Sequence, residues 1–361
     1  MQKKHEIFTE IQRRSNKQAQ KITIIVGTGS SISVDSDFGM DSLENQLNES
    51  IPNHIIGNTT YQEEWINVLK RRKEGIDFEN SLNEIKSEEL LNFIVKETGS
   101  FVCRVNRKHI LALRNDGIKI PISVLFKKLS NNFSLHNSVI DVITPNYDLL
   151  LESAFKSAKV SYTDGFYGNI QKEFNWKESE ADFQRPSDFK TKSSKSTDQK
   201  WKVINHFRLH KIHGSLNYFV FEDKILRDDT LAFIDIDDIN RFIITPGNTK
   251  YKIIVETRDF YKKCDEAIEN SDCFLFVGYG FNDNDIDIKI RRHLKQKGNN
   301  AIIITKKLLG KGKELIRSFP NIIAIEENSN NGGSFIHYQN EILMLPENLW
   351  KIDTFVNEIL K

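Results

Sequence analysis

Ile22-Thr23-Ile24-Ile25-Val26-Gly27-Thr28-Gly29-Ser30-Ser31 is the stretch whose reading decides the fold. An apolar, β-branched run without polar alternation reads as a strand buried on both faces, and it ends abruptly at a glycine turn. Strands covered on both faces belong to parallel sheets with helices packed on either side. Glycines at such a turn let the backbone approach a phosphate closely, and exposed amides there can stabilise its charge. The turn is not a complete GxGxxG pattern, because Ile32 stands where the last glycine would fall. On its own it reads equally well as a plain strand-to-helix turn.

Similar apolar runs recur at 139–144, 273–277 and 301–305, each ending in a polar or glycine turn, and the first two lead into helical patterns. Residues 321–325 are a further short strand candidate, and residues 5–20 read as a charged amphipathic helix. Repeated strand, turn and helix units predict an α/β fold, a doubly wound, mostly parallel, Rossmann-like sheet. Ligands of such a sheet sit beyond the carboxyl ends of the strands, at a topological switch point. Residues 42–135 lie between the first two strands, look mainly helical and contain Trp65, Leu69, Phe93 and Phe101, so they are read as an inserted helical subdomain. Residues 171–202, which include Lys192-Ser-Ser-Lys-Ser-Thr-Asp198, are too polar to build a core and are read as a surface excursion. The 361 residues are taken as one enlarged domain, although length alone fits two.

Composition removes several function classes. The 51 basic and 50 acidic side chains nearly cancel, leaving no global positive field to hold a nucleic-acid backbone. The basic run Lys70-Arg71-Arg72-Lys73 follows a helical stretch, where such runs are usually a solvated face. No run approaches the roughly 18 apolar residues of a membrane helix, and Met1-Gln-Lys-Lys-His lacks a signal peptide's apolar segment, so a cytoplasmic protein is expected. Three cysteines without CxxC spacing argue against a disulfide framework and against a four-cysteine zinc site. The 24 phenylalanines fit either a large core or buried subunit interfaces.

Three further segments fall where ligands of such a sheet would sit. Thr144-Pro145-Asn146-Tyr147-Asp148 leads into a helical pattern, so Asn146 or Asp148 could be a helix cap. His210-Lys-Ile-His213-Gly214-Ser215 places an imidazole beside a glycine turn, suited to a general base, while a lone histidine is more often structural. Gly278-Tyr279-Gly280-Phe281-Asn282-Asp283 follows an apolar strand and suits a ribose or adenine edge, with Asn284 and Asp285 read as caps of the next helix.

The order and spacing of these four segments, over residues 20–305, resemble the bacterial sirtuin-like (silent-information-regulator-like) family, particularly its defence-associated NAD⁺-consuming branch. The resemblance implies a single NAD-binding domain over residues 1–361. It implies that Gly27, Gly29, Ser30 and Ser31 bind the dinucleotide phosphates and that Gly278, Gly280, Phe281 and Asn282 form the adenosine loop. Thr144, Asn146 and Asp148 match the family's Thr-x-Asn-x-Asp motif. There Asn146 lies against the nicotinamide ribose and a water, Asp148 receives the nicotinamide amide, and His213, before Gly214, is the catalytic base. Two departures bear on function. The paired cysteine dyads that hold zinc in protein-deacylating sirtuins are missing, so no zinc is expected. The Gly-Ile-Pro-Asp-Phe-Arg stretch survives only as Gly39-Met40-Asp41-Ser42-Leu43, leaving Asp41 as the candidate pocket residue and no arginine.

What the resemblance implies is an NAD⁺ hydrolase that releases nicotinamide and ADP-ribose, or a cyclic product, as part of anti-phage defence. An NAD-dependent deacylase and an inactive nucleotide-binding scaffold are the alternatives. An enzyme that drains NAD⁺ must be restrained until needed, so control through self-assembly as a homo-oligomer or through a separate protein is expected; the resemblance implies a HerA-type hexameric ATPase as that partner, with the inserted helices or residues 349–360 as the expected docking surface.

Overall fold

The computed structural model describes residues 2–15, 20–114, 119–131, 139–186, 201–234, 239–245, 258–298 and 300–360, with side chains 111–114 excepted. Nine strands form the central sheet, in the spatial order Glu341–Leu345, Ser334–Tyr338, Ile323–Glu327, Ala301–Ile304, Cys273–Val277, Ile22–Val26, Val139–Thr144, His206–Lys211 and Tyr162–Thr163. Every pairing is parallel except the two made by Ser334–Tyr338, which close one edge as an antiparallel hairpin. The fold is therefore the mostly parallel, Rossmann-like α/β sheet that the apolar runs predict.

Alternation along each strand explains why those runs are apolar on both faces. Ile24 and Val26 point into one core with Val142, Leu209 and Leu275, sealed by helices Gln2–Arg14, Ser123–Ser130, Leu150–Ala158 and Ile352–Ile359. Ile25 points into the other with Ile143, Phe274 and Phe276, covered by helices Arg258–Glu269 and Asn284–Lys297. Burying a side chain of this size stabilises by about 1.5–3 kcal/mol, so a polar residue in the central strands needs a partner. Asp141 has one, in His210 Nε2 at 2.9 Å on the neighbouring strand.

Between the first two of these strands in sequence lie helices Met40–His54, Thr59–Lys73, Phe78–Ser81, Glu88–Arg114 and Ser123–Ser130. The first four share a core of their own, built on Leu47, Ile51, Trp65, Val68, Leu90 and Ile94.

Two features differ from the sequence reading. A second, antiparallel sheet joins Arg241–Ile243, Gly214–Phe221, Lys224–Asp228, Gln171–Phe174 and Phe166–Gly168. The polar excursion is consequently tied down where it begins. Gln171–Phe174 pairs with Lys224–Asp228, and Trp176 is buried at the start of a short helix whose Asn175 cap accepts from the amides of Lys177 and Glu178. Residues 187–200, which include the whole polar run from Lys192 to Asp198, lie outside the described residues. No described helix is long and apolar enough to cross a membrane.

Candidate active site

Strands Cys273–Val277, Ile22–Val26, Val139–Thr144 and His206–Lys211 are consecutive neighbours and all parallel, so their carboxyl ends share one edge of the sheet. From Ile22–Val26 the chain proceeds to one neighbour and returns later to the other. That is the switch point at which a doubly wound sheet opens a crevice. All four turns are linked by hydrogen bonds, the histidine turn through Ile212 N–H to the Thr144 carbonyl at 3.1 Å, and a buried contact between His213 and Asp283 ties it to the 278–283 turn as well.

Asn146, after the second of these strands in sequence, is buried and cross-links to the first turn. Its Nδ2 donates to the Gly27 carbonyl at 3.2 Å and to Ser31 Oγ at 2.9 Å. Its own amide donates to Thr144 Oγ1 at 3.1 Å, so Thr144, itself inaccessible, sets the turn that presents Asn146. Ser31 Oγ passes the chain on by donating to Asp148 Oδ2 at 2.7 Å. Asp148 Oδ1 accepts from the amide of Leu150 at 3.0 Å, so the capping role that its sequence allows is present beside the link to Ser31. Beneath this turn the buried Lys211 ammonium donates to the Asp148 carbonyl and reaches Glu152 Oε1 at 3.0 Å. Asn106, fully buried on the inserted helix Glu88–Arg114, accepts the Leu149 amide at 3.0 Å. The insertion thus grips the same turn.

His213 is 7% exposed, and its Nε2 stands 2.6 Å from Asp283 Oδ2. The structure makes Asp283, rather than Asn284 or Asp285, the cap of helix Asn284–Lys297, because its side chain accepts from the amides of Asp285 and Ile286. Gly214 adopts a φ of +80°, and a Cβ there would collide with the Phe242 carbonyl, so this position requires glycine. The charge on Asp283 reaches Tyr147, Tyr261 and Tyr279, whose hydroxyls burial pushes well above the usual phenol range. Burial also pushes the Asp287 carboxyl, which accepts from Tyr279, up to about 7.

The glycines serve a purpose the sequence reading did not give them. Gly29 N–H donates to the Gly278 carbonyl at 2.9 Å and Ser30 N–H to the Gly27 carbonyl at 3.0 Å, so both amides are occupied inside the loops. A Cβ on Gly27 would come within 2.5 Å of Gly278 O, and one on Gly29 within 2.8 Å of it. These glycines let two strand-end turns interlock. Of the first turn, Ser31 is buried inward, while Thr28, Gly29 and Ser30 face the accessible side.

In the fourth turn Gly278 and Gly280 are half-buried and Asn282 is exposed. The Phe281 side chain is 3% exposed and packs on Phe276 and Tyr279, so it shapes this turn from beneath. Asp41 lies outside the linked group, exposed in the first turn of helix Met40–His54, where its charge acts on Arg72. Sequence reasoning missed Asp283, Asn106 and Lys211. For Asp283 a signal existed, since an Asp directly before a helical pattern is a strong cap, but its partner lies 70 residues away in sequence.

The crevice therefore offers a fixed carboxamide, a buried imidazole–carboxylate pair and accessible hydroxyls around the switch point of a Rossmann-like sheet. Residues 141–318 of this chain match the model of a family described as the SIR2-like domain. That span holds Asn146, Asp148, His213 and the turn from Gly278 to Asp283. A solved structure described as "Structural Basis for the Mechanism and Regulation of Sir2 Enzymes" is similar at 12% identity and a TM-score of 0.38, over 86% of this chain and 95% of that chain. No curated protein matches the chain.

Proposed function

We propose that this protein cleaves the nicotinamide–ribose bond of NAD⁺, releasing nicotinamide and ADP-ribose. The observation that best supports this reading is the convergence of Asn146, Ser31 and Asp148 in one hydrogen-bonded chain at the switch point that His213 also borders. The SIR2-like match over residues 141–318 supports NAD⁺ as the substrate.

Nicotinamide leaves as a neutral molecule from a cationic glycoside, so the reaction needs little acid catalysis. It needs the ribose held, an oxocarbenium-like centre stabilised and a nucleophile delivered. On this reading Asn146 positions the ribose and a water, held from behind by Gly27 and Ser31. Asp148 receives the carboxamide of the leaving group. His213 takes a proton from the attacking water or from a ribose hydroxyl. Gly27, Gly29, Ser30 and Ser31 flank the phosphates, with Thr28 and Ser30 supplying accessible hydroxyls because the Gly29 and Ser30 amides are occupied. Gly278, Gly280, Phe281 and Asn282 border the adenosine, and Asp41 is a rim residue. Attack by a base of the same nucleotide would give the cyclic product instead.

The same reading places the activity in anti-phage defence by NAD⁺ depletion in the cytoplasm. An enzyme that drains NAD⁺ must be restrained until needed, and we assign that restraint to self-assembly or to a HerA-type hexameric ATPase. The test is chromatography of NAD⁺ incubated with pure protein and no acylated peptide. Nicotinamide and ADP-ribose in equal amounts are the expected products. Release that starts only when an acylated peptide is added would make the protein a deacylase, and no release under either condition would make it a scaffold.

A further inference from the structure

The contact between His213 and Asp283 assigns a role that no sequence motif reveals. Asp283 is anchored twice: Oδ1 accepts from the amides of Asp285 and Ile286 at 3.1 and 3.4 Å, and Oδ2 faces His213 Nε2 at 2.6 Å. The backbone that carries the imidazole is held as well. The His213 carbonyl accepts from Ile244 N–H at 2.9 Å, and Gly214, with a φ of +80°, packs closely against the Phe242 carbonyl. Both side chains are at least nine-tenths buried, so water does not compete strongly for the pair.

We infer that Asp283 is the positioning residue of His213, fixing the ring as its Nε2–H tautomer and thereby making Nδ1 the proton acceptor. A carboxylate accepts only from a protonated ring nitrogen, so Nε2 carries the hydrogen and the lone pair of the neutral imidazole stays on Nδ1. When Nδ1 takes a proton from water or a ribose hydroxyl, the imidazolium forms beside the Asp283 carboxylate and is stabilised by it. Around the pair stand Tyr147, Tyr261 and Tyr279, held neutral by burial, and the carboxyls of Asp285 and Asp287. This assignment rests on the NAD⁺-cleaving reading for the identity of the proton donor, but the tautomer is a property of the protein alone.

The experiment is ¹⁵N NMR of the whole protein labelled at histidine, with His213 assigned by its loss in His213→Gln. In the neutral form of the ring, wild type should show Nε2 protonated and Nδ1 bare. Asp283→Asn keeps a good helix cap but presents an amide donor or a weaker acceptor to Nε2, so the tautomer should shift toward Nδ1–H. Nicotinamide release should then fall about 10²- to 10⁴-fold with NAD⁺ affinity changed only a few-fold. A wild-type spectrum with Nδ1–H dominant, or the same tautomer and rate in Asp283→Asn, overturns the assignment. The expected tautomers in a wild-type protein that does not cleave NAD⁺ uphold the pairing and refute the substrate.

Discussion

Replacing Gly278 by alanine should destabilise the whole protein, because the position is constrained in two ways. Its φ of +58° lies in the left-handed region, which costs a residue with a Cβ about 1–2 kcal/mol. The new Cβ would also stand 2.5 Å from Ser30 N and 2.7 Å from the Gly29 carbonyl carbon. Both are backbone atoms held by hydrogen bonds, so the clash cannot be relieved by a side-chain rotation, and overpacking of this kind typically costs about 1–3 kcal/mol. Together the two effects amount to roughly 2–5 kcal/mol, or a melting point lower by about 3–7 °C for a chain of this length. Gly310→Ala is the control. Among the described residues no atom from elsewhere in the fold lies within 4 Å of the added Cβ, and the residue opens helix Gly310–Ser318, so the substitution should be neutral or stabilise by up to about 1 kcal/mol. Differential scanning calorimetry of the two variants reads the difference. Equal melting points for both would refute the interlock of the 27–31 and 278–283 turns.

Two further outcomes follow from buried groups. Asp287 is raised in the folded state to about 7 from 3.8, so the folded protein binds its proton across that window; this contribution to stability is present at acid pH and lost as the pH rises toward 7. Asp287→Asn, which can still accept from Tyr279, should therefore gain stability relative to wild type between pH 4.5 and 8, by up to a few kcal/mol in urea denaturation; parallel stability curves would contradict it. Dialysis against a strong chelator should leave NAD⁺ cleavage unchanged, since Cys103, Cys264 and Cys273 show no CxxC spacing for a four-cysteine zinc site; a loss restored only by zinc would contradict that.

The central strands were legible in the sequence because a strand buried on both faces must be apolar throughout, as Ile22–Val26 and Cys273–Val277 are. His206–Lys211 was not, although it occupies the same sheet. It carries His206, Arg208, His210 and Lys211, whose partners Ile204, Glu180, Asp141 and Glu152 are supplied by other parts of the fold. The antiparallel sheet was hidden for a similar reason, since Gln171–Phe174 is polar on its exposed side and gains its apolar contacts only once Phe166 and Phe260 are in place. At the candidate site, the turns themselves could be read from glycines and polar residues at strand ends. What joins them could not, because the contacts of Asn146 with Ser31, of His213 with Asp283 and of Asn106 with Leu149 span 115, 70 and 43 residues.

The most direct test pairs calorimetric NAD⁺ binding with nicotinamide release for wild type, Asn146→Ala and His213→Ala. Both side chains are assigned to the transition state, so release should fall about 10²- to 10⁴-fold in each variant while NAD⁺ is still bound. Asn146→Ala also leaves Ser31 without one partner, which should cost about 1–3 kcal/mol of stability without unfolding the protein. Both variants turning over NAD⁺ at the wild-type rate would contradict the account, reducing Asn146 to a cross-link between two turns and His213 to a buried structural histidine.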